Sequence, residues 1–151
     1  MSDLLAKELA ALVDRLRRWT PTRWSAAAGP WGSRADLVHH LAQALADAAA
    51  AAEGAGAGEA TGAGEAAGAA GPRRELPRLG NVLLGADQLA VTGDDLVRAT
   101  ATPAVLEEVV AHLLLHRYDL LGEEPPASLG GPAVLERGRA ACEAGGGVLR
   151  A

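Results

Sequence analysis

Leu5, Leu9, Leu12, Val13 and Leu16 recur at spacings of four, three, one and three, which puts them on one face of a helix. Ser2 can cap that helix. It should run over about residues 3 to 18 and stop before Thr20-Pro21, because proline disfavours helical geometry in the residue ahead of it. A loop from Pro21 to Gly32 follows. Ser33 with Asp36 three positions on reads as a capping box built with the shorter acid. It opens a second helix, over residues 33 to 52, through Leu37, Val38, Leu41 and Leu45, and Ala46 to Ala52 extend it without adding much to a core.

From Glu53 to Gly71 the chain is almost wholly glycine, alanine and glutamate. Such a segment buries too little apolar surface to offset its ordering entropy, so it is predicted to be a flexible linker. A third helix is predicted from Pro77 to Val91, carrying Leu79, Val82, Leu83 and Leu89, with Gly93 as its C-cap. The fourth is the most sharply bounded: Thr102 as N-cap, Pro103 at the first helical position, an apolar run to Leu121, and Gly122 after it. A short final helix is expected over Pro132 to Ala144, ended by Gly145-Gly146-Gly147. No internal repeat is visible, and 151 residues suit a single domain spanning 1–151.

Composition narrows the class. There are 35 alanines and 23 leucines, ten valines, and neither isoleucine nor phenylalanine, so the expectation is all-α with a thin core. Fourteen basic against nineteen acidic residues leave a net charge of −5. With no basic tract denser than Pro72-Arg73-Arg74, nucleic acid is not an expected partner. No apolar run approaches the ~20 residues that span a bilayer, and Met1 to Lys7 lacks signal-peptide order, which points to a cytoplasmic protein without membrane contact. The single Cys142 cannot form an intrachain disulfide. A leucine-stripe bundle this thin leaves apolar surface that a second copy could cover, so a homodimer is one expected arrangement.

The four histidines fall in two places, His39-His40 and His112 with His116. Two residues four apart lie one above the other on a helix, Cβ atoms about 5 to 6 Å apart, so two imidazoles can converge on one ion. A third ligand must come from elsewhere. His40, between Leu37 and Ala44 on the inward stripe, is better placed than His39, which points to the side. Three imidazoles leave a coordination position open for water or substrate. The same four histidines would also serve as ordinary helix residues.

Glu108, one turn before His112, could take a proton from bound water as a catalytic base, or be a solvated helix acid. Asp119, three after His116, could orient an imidazole or sit exposed near the helix end. Trp19, Trp24 and Trp31 border the first loop and suit packing; Trp31 could also wall a pocket, as could Tyr118. Phosphate-loop, GxSxG, CxxC and HExxH signatures are absent.

Two stretches carry a resemblance. Trp31-Gly-Ser-Arg-Ala-Asp36-Leu37-Val38-His39-His40-Leu41 looks like the W-[ST]-x-R-D-L-V-x-H-L segment of the DinB-like superfamily, in its mycothiol-dependent maleylpyruvate isomerase N-terminal branch, with one extra residue between Trp31 and Asp36. His112-Leu-Leu-Leu-His116-Arg-Tyr118-Asp119-Leu120 is similar to that branch's E-L-x-V-H-x-W-D-L, with His112 in place of glutamate and Tyr118 in place of tryptophan. The wider superfamily commonly has HxxxH there.

The resemblance covers roughly residues 1 to 121 in helix order, although its motifs are about twenty residues long. It implies a four-helix bundle with a long crossover, and a divalent metal, zinc or nickel first, on His40, His112 and His116. It also implies thiol-cofactor S-transfer or isomerisation on a small-molecule substrate; Trp31 and Tyr118, on either side of the expected approach to the ion, are the candidate cofactor-binding residues. The alanine, glycine and arginine usage fits a high-GC bacterium, where that thiol would be mycothiol. The branch often carries a further C-terminal domain, which these 151 residues do not include, and this counts against the isomerase activity itself. Two other functions fit the same residues: a noncatalytic helical module binding a ligand or partner, and a biosynthetic enzyme using the ion as a Lewis acid.

Overall fold

The computed structural model describes residues 2–60, 75–99 and 101–122. Among these the protein is all-α, with five helices: α1 (Ser2–Leu16), α2 (Pro21–Ser25), α3 (Arg34–Ala60), α4 (Gly85–Arg98) and α5 (Pro103–Leu121). An isolated bridge between Ala27 and Ser33 is the extent of β pairing among the described residues. None of their helices is long and apolar enough to cross a membrane.

Helix α1 buries the five residues whose spacing defines its stripe, Leu5, Leu9, Leu12, Val13 and Leu16. Each leucine so buried contributes about 1.5–3 kcal/mol. The helix begins at Ser2 itself. Pro21, expected to open a loop, instead starts α2. Thr20 Oγ1 accepts the Arg23 N–H at 3.4 Å, Pro21 occupies the first turn, and Trp24 is carried into the core at 1% exposure. Helix α1 ends at Leu16, ahead of the residue that Pro21 restricts, while the fixed φ of Pro21 suits the first turn of α2.

Helix α3 opens on the expected box. Ser33 N–H and Ser33 Oγ–H both donate to Asp36 Oδ2, at 3.0 and 2.7 Å, and Asp36 N–H donates back to Ser33 Oγ at 3.2 Å. Leu37, Val38, Leu41 and Leu45 are buried along it. The helix does not end at Ala52, however. It continues through Glu53 to Ala60, correcting the predicted start of the linker. Each glycine there costs about 1 kcal/mol, but a helix already nucleated gains a backbone bond per added residue, and the intervening alanines and glutamates favour it.

The third predicted helix is displaced. Residues 75–79 are non-helical, Asn81 Oδ1 accepts the Leu83 N–H at 3.0 Å to start a 3₁₀ turn, Val82–Leu84, and α4 begins only at Gly85. Leu79, Val82 and Leu83, expected among the apolar residues of that helix, lie ahead of it and are exposed, while Ala86, Leu89, Thr92, Gly93 and Leu96 form the buried stripe. Gly93 is therefore mid-helix, not a C-cap. A Cβ there would stand 2.5 Å from Leu9 Cδ1, so the missing side chain admits α1. Helix α5 has its predicted bounds, ending at Gly122 with φ +66° and its N–H on Tyr118 O; the Thr102 side chain makes no capping bond.

Helices α1 and α4 pack their buried stripes against each other, α3 packs on α4 and α5, and α5 also meets α1. Arg117 pairs with Glu8 across α5 and α1, and Arg17 with Asp87 across the α1 end and α4 at 2.8 Å. A groove of about 410 Å³ between α3 and α4 is lined chiefly by Ala46, Ala49, Leu76, Leu84 and Val91. The remainder of the predicted linker, the helix over Pro132 to Ala144 and Cys142 lie outside the described residues.

Candidate metal centre

The box at Ser33 fixes where α3 begins, and one turn past Asp36 the helix presents His40 toward α5. On α5, His112 and His116 stack one turn apart, ring centroids 4.3 Å from each other. The His40 ring lies 6.0 Å from that of His112 and 6.1 Å from that of His116. One nitrogen from each of the three falls within 4.8 Å of the other two. Nitrogens bound tetrahedrally at about 2.0–2.1 Å are roughly 3.3 Å apart, so side-chain adjustments of ~1–1.5 Å would close the trio on an ion.

Burial prepares the donors. His116 is 1% exposed, and both its ring nitrogens and His112 Nε2 are removed from solvent. Burial, aided by the charge of His40, holds the His112 pKa down to about 4. His40 is lowered as well, by burial first and then by His39, with Asp47 opposing. At neutral pH His112 therefore stays uncharged, keeping the lone pair that a metal requires.

Trp31 covers this cluster. Its ring centroid is 4.5 Å from that of His40, tilted by 32°, and 5.0 Å from that of His116, edge-on at 88°. His39 faces elsewhere, with Nδ1 3.4 Å from Gln88 Oε1. Asp119 Oδ2 lies 3.9 Å from His116 Nδ1, beyond hydrogen-bond length. Glu108 is exposed, one turn ahead of His112 and outside the trio. Tyr118 is half-buried near the end of α5; its carbonyl caps the helix by accepting the Gly122 N–H.

Trp19 and Trp24 pack edge-on at 5.3 Å in the core. None of the three histidines lines the groove between α3 and α4. Sequence reasoning missed Arg78, which pairs with Asp36 from 42 residues away. A lone arginine in a polar stretch gives no local sign of such a partner.

The trio fits a divalent transition ion by the chemistry of its donors: three imidazoles from two helices, with His112 held neutral, beneath an aromatic wall. Comparisons with protein-family models, with curated proteins and with solved structures find no match, so the functional reading rests on these side chains.

Proposed function

We propose that the protein is a metal-dependent enzyme, built on a DinB-like four-helix bundle, that transfers a low-molecular-weight thiol such as mycothiol to a small electrophile. The observation that carries this reading is the convergence of His40, His112 and His116. Zinc or nickel, held by His40, His112 and His116, would supply a positive charge that favours the thiolate form of a thiol beside it.

The chain's own residues do the rest. His112 and His116, fixed one turn apart on a single helix, set two ligand directions, and His40 sets the third from α3. Trp31 shields one side from water, which strengthens charge interactions within. Asp119 keeps a negative charge near His116 Nδ1 and so favours a proton on that nitrogen, leaving the other for the ion. Glu108, exposed and outside the trio, fits a solvated helix acid and has no part in this mechanism. Its exposure also favours the noncatalytic module as the second reading, since the carboxylate expected to act as base stands outside the trio.

Elemental analysis of the purified protein tests the site, and thiol transfer to chlorodinitrobenzene tests the activity. The expected result is an equimolar transition metal, lost in His116→Ala together with transfer, while His39→Ala behaves as wild type. Metal without transfer would leave the module; no metal and unchanged rates in His116→Ala would reject both metal readings.

A further inference from the structure

Trp31 stands on a turn with little freedom. Gly29 at φ +56° and Gly32 at φ +86° bracket it, in a region that side-chain-bearing residues rarely adopt. Ala28 N–H donates to Gly32 O at 2.8 Å, Trp31 N–H to Ala28 O at 3.2 Å, and Arg34 N–H to Ala26 O at 2.9 Å. The Asp36 carboxylate closes the turn from the helix side. Its Oδ2 takes both Ser33 donors and lies against the backbone closely enough that a Cβ on Gly32 would be 3.1 Å away.

The other oxygen, Oδ1, accepts from Arg78. A capping box needs no such partner. Arg78 belongs to residues 75–81, a strap between the helices that is tied down twice more. Gln43 Oε1 accepts the Leu76 N–H at 2.8 Å, and Gln88 Nε2 donates to Pro77 O at 3.1 Å. That same Gln88 approaches His39, the neighbour of a trio member. The strap thus follows α3 back toward its start and ends on the carboxylate that braces the tryptophan turn.

We propose that Asp36, braced by Arg78 from the strap, is a positioning residue that holds the Trp31 ring against His40 and His116. The box alone would start the helix; the added guanidinium fixes the carboxylate's orientation and, through it, the turn. Arg78 thereby couples the strap to the wall of the histidine cluster. The inference concerns where an indole sits and does not depend on the proposed reaction or on a bound metal.

Fluorine NMR of the full-length, metal-free chain labelled with fluorotryptophan tests it. Three resonances are expected, that of Trp31 assigned by its loss in Trp31→Phe. In Arg78→Met and in Asp36→Asn the Trp31 resonance should shift and broaden while those of Trp19 and Trp24 keep their positions, and Asp36→Glu should restore much of the wild-type line. An unmoved Trp31 line in Arg78→Met would overturn the proposal. So would a common shift of all three lines, the mark of a general loosening. If Asp36→Asn does not fold, Arg78→Met decides alone, because that side chain is 72% exposed and its loss leaves the core intact.

Discussion

Replacing Gly93 by alanine sets two known effects against each other. In the middle of a helix the change should stabilise by about 1 kcal/mol, because alanine loses less backbone entropy. Here, however, the new methyl would meet Leu9 Cδ1 at 2.5 Å, with Cδ2 and Cγ at 3.5 Å. Leu9 is 5% exposed, so its end cannot swing into solvent, and overpacking of this kind costs about 1–3 kcal/mol. The net expectation is a destabilisation of up to ~2 kcal/mol, or a Tm lower by several degrees for a chain of this size.

Urea unfolding followed by far-UV circular dichroism measures the change, with Gly80→Ala, where a Cβ meets nothing within 4 Å, as control. The decisive variant is Leu9→Ala combined with Gly93→Ala. Leu9→Ala alone should cost about 2–5 kcal/mol, and the double variant should cost less than the sum, since the smaller side chain makes room for the methyl. Strict additivity, or a Gly93→Ala protein ~1 kcal/mol more stable than wild type, would refute the close approach of α1 and α4.

Three further outcomes are expected. Hydrogen bonds from Ser33 and Arg78 lower the Asp36 pKa from 3.8 to about 2; a pKa depressed on folding adds stability above the unfolded value and loses it as pH falls. About 1 kcal/mol, allowing for a side chain 35% exposed, should therefore disappear between pH ~4 and 2 in the wild type, and unfolding of Asp36→Asn should lack that step. Zinc at a hundredfold excess over its Kd should stabilise the wild type by about 2.7 kcal/mol; a thermal shift of the same size in His116→Ala would place the binding elsewhere. Nickel should quench tryptophan fluorescence in the wild type and much less in Trp31→Phe, since that indole alone packs on the trio among the described residues; equal quenching would put the ion away from it.

What the sequence revealed depends on how local the determining physics is. The α1 stripe, the Ser33–Asp36 box and the Thr102-Pro103 to Gly122 limits of α5 are set within a few residues, and the structure has all three. Gly93 was opaque because its reason is Leu9, on another helix; a glycine after an apolar run looks the same whether it ends a helix or admits a neighbour. Pro21 reads as the start of a loop, but it opens α2, a five-residue helix too short to show an apolar period. The pairing of His112 with His116 follows from helical period, whereas the approach of His40 required packing that periodicity only suggested. Arg78 was invisible, since its role depends on the path of the strap.

The histidine trio joins two segments of chain more than seventy residues apart. An ion bound across them would act as a clasp between α3 and α5, favouring the docked arrangement over every state in which α5 has swung away. Its release would then be paced by the undocking of α5 rather than by the breaking of ligand bonds, and amide hydrogen exchange along α5 would slow in step with metal retention.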